Sequence, residues 1–211
     1  MHTEGHILVV AICGSLRSDG HTRQALEIAL QGAQEVGAEI QLIDLNEYAL
    51  PFCEGKDDDA PPSAGVQRLR ADVRRAQGIL IGTPEYHGSF SGVLKNALDL
   101  LGFDEFEGKM IGLLGISGGR MGAVDALNSL RTIGRALHAW VIPQQATIPE
   151  AAHAFDEHGR LRNKALEQRV LEVGRQVARF AYLHSSEKAR EFLRLWEESP
   201  ANPGGGEHVE E

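Results

Sequence analysis

The chain has 211 residues, enough for one domain and a tail, and a core of that size needs neither disulfides nor metals to hold it. Apolar residues make up 42% and charged residues 24%, an ordinary balance for a soluble globular protein. The formal net charge of -9 disfavours generic binding to nucleic acid or anionic membrane. The cysteines, Cys13 and Cys53, form no C-x-x-C pair and no disulfide framework, so a reducing, cytoplasmic setting is expected. No apolar run approaches the roughly 18 residues of a membrane span, and MHTEGHILVV is too short and too acidic for a signal peptide.

Strand-like and helix-like runs alternate. His6 to Cys13 (HILVVAIC) is nearly continuous in β-branched and apolar residues, as a strand buried on both faces should be. After a glycine-containing polar loop, Ala25, Ile28, Ala29, Gly32, Ala33 and Val36 recur at helical spacing. Ile40 to Leu45 is a second strand, 46–62 a loop and Val66 to Arg75 a short helix. Gly78 to Thr83 is a third strand that ends at Pro84, followed by a helix from Phe90 to Leu101. Met110 to Ile116 is a fourth strand and Ala123 to Leu137 a helix. Ala139 to Ile142 is a short fifth strand, followed by an extended stretch and a turn near His158-Gly159. A long helix runs from about Asn163 to His184. Such alternation implies an α/β fold, a parallel sheet with helices on both faces, and five strands fit the flavodoxin-like order 2-1-3-4-5 in a three-layer sandwich. The division expected is a domain over 1–185 and an extension over 186–211. In the extension Ala189, Phe192, Leu193 and Trp196 can line one helical face before a disordered PANPGGGEHVEE.

In sheets of this kind ligands bind beyond the carboxyl ends of the strands, beside the first strand. Three loops lie there. Gly14 to Thr22 (GSLRSDGHT) leads into a helix N-terminus, where unpaired N–H groups favour an anion, and Ser15, Thr22 and Arg17 add donors. The same letters also read as a plain connection, with Thr22 as N-cap and Arg17 in solvent. The Walker lysine is missing, since His21 stands in its place, and so is G-x-G-x-x-G. A single terminal phosphate, as on FMN, suits what remains. The second loop, Thr83 to Gly92, can offer backbone groups to the edge of a flat heterocycle, with Tyr86 as a wall. The third, GISGGRMG over 115–122, lets backbone approach a ring, but it also fits G-x-S-x-G. A serine hydrolase with Ser117 as nucleophile and Asp156 and His158 as partners is therefore an alternative. The nine histidines show no metal-ligand spacing, so no metal is expected.

GSLRSDGHTRQAL, PEYHGSFSGVLKNALDLL and GISGGRMG, in that order and spacing, resemble the NADPH-dependent FMN reductase family, over about residues 6–184. The resemblance implies FMN as cofactor, NADPH or NADH as hydride donor, and ping-pong transfer to a small-molecule acceptor: a quinone, azo compound, free flavin or metal oxyanion. It also implies a homodimer or homotetramer. By position, Ser15, Arg17 and Thr22 match residues that bind FMN phosphate. Pro84, Glu85, Tyr86 and His87 match the turn along the isoalloxazine, and Ser117, Gly118 and Gly119 match the loop at its pyrimidine end. Gly20 stands where many relatives have serine, and Thr22 and His87 where they have asparagine. With His21 and Gly88 from the loop readings, these are the candidate cofactor-binding residues, and no catalytic side chain is singled out. A flavin-binding electron carrier without nicotinamide turnover is the remaining alternative.

Overall fold

A computed structural model describes residues 7–55 and 61–185, together with Glu191, Arg194 and Leu195. The expected C-terminal extension therefore falls almost wholly outside the described residues. The strands are β1 (Leu8–Cys13), β2 (Glu39–Asp44), β3 (Gly78–Tyr86), β4 (Ser89–Phe90), β5 (Met110–Ile116) and β6 (Trp140–Ile148). The helices are α1 (His21–Glu35), α2 (Ala64–Arg74), α3 (Gly92–Asp99), α4 (Phe103–Phe106), α5 (Val124–Ala136), α6 (Ala151–Ala154) and α7 (Lys164–Ser185). The sheet order is β2-β1-β3-β5-β6, parallel throughout, with β4 paired antiparallel to β3 alone. With β4 set aside this is the 2-1-3-4-5 order of a flavodoxin-like sheet.

Burial explains the strand signals. All seven residues of β5 are buried, and β1 and β3 are buried almost throughout, whereas the edge strands β2 and β6 are half-exposed. Side chains alternate between two cores. Val9, Ala11 and Cys13 pack with α1 and α7, while Val10 and Ile12 pack with α2, α3 and α5. Helices α1 and α7 lie close because each presents a glycine to the other. A Cβ on Gly32 would collide with the Leu171 carbonyl oxygen, and one on Gly174 with that of Ala29.

Several expectations need correction. Strand β3 does not stop at Thr83: it runs through Pro84, which pairs with Ile116 of β5. Gly82 accepts from Gly14 N on its β1 side, and β1 pairs no further than Cys13–Gly82. Pro84, two residues on, turns its missing N–H to that same side, where no strand asks for it. The helix expected from Phe90 begins at Gly92, because Phe90 belongs to the β3–β4 hairpin and Ser91 is the N-cap, its Oγ accepting from Leu94 N. The fifth strand does not end at Ile142. Its register on β5 slips between Ile111 and Leu113, letting the strand bulge around Pro143 and resume to Ile148. Helices α4 and α6 were not anticipated, being a single turn each.

Candidate active site

The parallel sheet puts the ends of β1, β3, β5 and β6 at one edge, and a cavity of about 460 Å³ opens there. That volume lies within the range of small-ligand clefts. Its walls come from three loops. Ser15, Arg17, His21 and Thr22 line it from the first, Pro84, Glu85 and Tyr86 from the second, and Gly118 from the third. Asp19, Gly20, Ile116, Ala151 and Ala152 complete the lining; of these only Gly20 was singled out from sequence, as the place where many relatives have serine. His87 and Gly88 form the exposed hairpin tip outside the lining, and Ser117 and Gly119 flank Gly118 without lining it.

The first loop is locked by its own bonds. Gly14 N donates to Gly82 O at 2.8 Å, and Ser91 Oγ donates to Gly14 O at 2.6 Å. Asn46 Nδ2 donates to Leu16 O at 2.9 Å, and Arg17 N donates to Ser15 Oγ at 3.3 Å. Ser91 and Asn46 were missed because their partners are 77 and 30 residues away in sequence. Cys13 Sγ reaches Ser15 O, and burial pushes its thiol up, so it remains a protonated core group.

Helix α1 starts inside this loop. Its N-cap is Gly20, which has no side-chain cap, so Thr22 is not the N-cap but lies within the first turn, buried. The N–H groups of His21 and Thr22 have no partner among the described residues, and neither do the Thr22 hydroxyl and the Arg17 guanidinium. His21 is fixed on both sides: its ring stacks on Phe155 at 4.9 Å and 2°, and Nδ1 lies 2.9 Å from Gln24 Oε1.

The second loop is a hairpin in which Glu85 pairs with Phe90 and Tyr86 with Ser89. Its two turn residues, His87 and Gly88, have φ of 52° and 75°, the doubly left-handed turn that suits strand twist. Tyr86 is 53% exposed and offers an aromatic face at the cavity mouth. The Glu85 carboxylate turns away to accept from Ala126 N at 3.0 Å.

The third loop is stitched to the end of β6. Ser117 N donates to Ile148 O, Glu150 N to Gly119 O and Ala151 N to Ser117 O. Gly118 stands clear, with nothing within 4 Å of where a Cβ would be. The hydrolase alternative fails on geometry. Among the described residues Ser117 Oγ bonds only to Gly119, accepting from its N–H at 3.0 Å. Asp156 caps its own turn, accepting from the N–H groups of His158 and Arg160 at 2.9 Å. The Arg160 backbone bond is the first cause holding its carboxyl down at about 2.

The unpartnered groups at α1 are all donors at the positive end of a helix, beside an open glycine, and this set fits a terminal phosphate with a flat ring beyond it. Residues 7–153 match the family described as NADPH-dependent FMN reductase. The chain belongs to that family. It is thus an FMN-dependent oxidoreductase drawing on a nicotinamide cofactor. It is 36% identical over 148 residues to an NADPH azoreductase of a Bacillus species (strain OY1-2), covering 70% of this chain and 79% of that one. It is 31% identical over 182 residues to the NADPH-dependent FMN reductase ArsH of Shigella flexneri, covering 84% and 69%. Among solved structures, the flavoenzyme NAD(P)H:(acceptor) oxidoreductase FerB of Paracoccus denitrificans shares the fold of this FMN reductase family member. The TM-score is 0.68 at 23% identity, covering 84% of this chain and 98% of that one.

Proposed function

We propose that the carboxyl-end cavity holds FMN noncovalently and that a small organic acceptor is reduced there in a ping-pong cycle. The observation that carries this is the unpartnered donor set of Arg17, the Thr22 hydroxyl and the N–H groups of His21 and Thr22 in a cavity of about 460 Å³. Ser15 and His21 stand beside these donors, and together they hold the phosphate. Pro84, Glu85, Tyr86, His87 and Gly88 form the turn against one side of the ring. Gly118, backed by Ser117 and Gly119, lets backbone approach the other.

FMN held there by Arg17, Thr22 and the start of α1 would supply the redox chemistry between NADPH or NADH and the acceptor. The protein binds, orients and shields. Tyr86 gives the nicotinamide and the acceptor a partly apolar face, and the open mouth lets one leave before the other enters. The azoreductase name of one relative favours an azo compound or quinone as acceptor. Free flavin and metal oxyanions come next. Arg120 has its side chain 88% exposed and lies 3.3 Å from Glu150.

The working unit is a homodimer or homotetramer in the cytoplasm. Exposed apolar side chains near this edge, Leu16 at 49%, Tyr86 at 53% and Met121 at 90%, support burial against a second copy. No described helix is long and apolar enough to cross a membrane. The activity is assigned to the domain over 1–185.

The test is anaerobic. NADPH or NADH should bleach the yellow protein, and an azo dye or quinone added afterwards should restore the colour without further nicotinamide. Colour that neither nicotinamide bleaches would leave an electron carrier in place of this reading.

A further inference from the structure

Helix α5 begins directly after the glycine-rich loop, and its N-cap, Ala123, has no side chain able to accept a hydrogen bond. Ala126 is the third residue of that helix, the position whose N–H a capping side chain ordinarily takes. Here the acceptor comes from elsewhere: Glu85 Oε2, 41 residues earlier in the chain, at 3.0 Å. The backbone of Glu85 is meanwhile held in the β3–β4 hairpin opposite Phe90. One carboxylate therefore ties the loop that carries Tyr86 to the helix that follows Gly118, and both residues line the same cavity.

We infer that Glu85 is a positioning residue, a brace that fixes the spacing of the two ring-flanking loops and sets the charge they present; the inference rests on the flavin site proposed above. Two consequences follow from the contact. The base of the hairpin is anchored by Pro84 on Ile116 and by Ser91, whose N–H donates to Thr83 Oγ1 at 3.0 Å, and the bond from Ala126 adds a direct tie from Glu85 to the helix that follows the glycine loop. The negative carboxylate also sits on the positive end of α5, so the cavity is less electropositive than a bare helix end would make it. An electron-rich reduced ring is then stabilised less, and the bound flavin becomes the stronger reductant.

The two effects separate by substitution. Glu85→Gln keeps an oxygen acceptor for Ala126 and removes the charge, whereas Glu85→Ala removes both. Amide hydrogen exchange on the flavin-free full chain reads the brace alone. In Glu85→Ala the first turn of α5 should exchange about fivefold faster, the size expected for losing one cap, and Glu85→Gln should keep most of the protection. With FMN bound, Glu85→Ala should bind several-fold more weakly and Glu85→Gln nearly as wild type. The flavin midpoint potential should move upward in both variants.

Unchanged exchange in Glu85→Ala overturns the proposal, and so does a Glu85→Gln potential equal to that of wild type. Should Glu85→Ala fail to fold, the potential of Glu85→Gln alone decides. A wild-type chain that takes up no FMN would remove the flavin reading but leave the exchange result to be judged by itself.

Discussion

Two cavities of nearly equal size lie at opposite ends of the sheet, and only one looks like a site. The amino-end cavity, about 450 Å³, is lined by Ile7 and Ala38 ahead of the first two strands and by Arg175 and Tyr182 of α7. One of its two lining arginines is matched: Arg175 lies 2.6 Å from Glu35 and 3.5 Å from Glu172, while Arg179 stands exposed to solvent. At the start of β5, Lys109 donates to the Val73 and Arg74 carbonyls at 2.7 Å, closing the C-terminal end of α2. The carboxyl-end cavity leaves Arg17 and the first N–H groups of α1 without partners among the described residues. Volume does not separate the two ends. What separates them is a helix N-terminus: the carboxyl-end cavity gathers the free N–H groups of His21 and Thr22 beside Arg17, whereas the N–H groups of Val36, Gly37 and Ala38 at the other end are bonded within the chain.

The largest effect expected breaks this contrast directly. Arg17→Ala should weaken FMN binding by about 10- to 100-fold, the range of a charge-assisted bond, while leaving riboflavin binding unchanged. Arg175→Ala at the other end should leave both affinities alone. Parallel titrations by flavin fluorescence quenching check this, and equal losses in the two variants would erase the distinction.

A smaller effect sharpens it. Thr22→Val keeps the shape and removes only the hydroxyl, so FMN affinity should fall by about 2- to 10-fold. A loss of thermal stability at full affinity would instead make Thr22 a packing residue.

The smallest effect belongs to the amino end. Burial lowers the Lys109 ammonium to about 8, whereas an unfolded lysine keeps its proton to about 10.4. Between those values the unfolded chain binds more protons, so the Lys109 contribution to stability rises with pH. Partial exposure makes the gain modest. Urea midpoints of wild type and Lys109→Met, followed from pH 7 to 9.5, should diverge in favour of wild type. A difference flat in pH would contradict the assignment. Tyr48, pushed up by burial and then by Asp72, opposes this above about pH 10, but it does so in both proteins and cancels.

Most of the sheet was legible because β1, β3 and β5 are buried on both faces, and only apolar, β-branched runs satisfy that. The continuation of β6 past Pro143 was not, since a bulge depends on its neighbour's register and not on its own letters. The hairpin was hidden for a different reason. Its turn is His87-Gly88, and the usual signal is asparagine before glycine. In the site, the free donors of the first loop could be read because they are local to one segment. The residues that hold the walls in place, Ser91 on Gly14 and Glu85 on Ala126, act across 77 and 41 residues and left no local pattern.

The central claim is that the donors left free at the start of α1 recognise a terminal phosphate. Titrating the flavin-free protein with FMN and with riboflavin tests it most directly, because the two ligands share the ring and differ only in that group. FMN should bind at one site per chain, with riboflavin about 100-fold weaker or more. Equal affinity for the two would contradict the account.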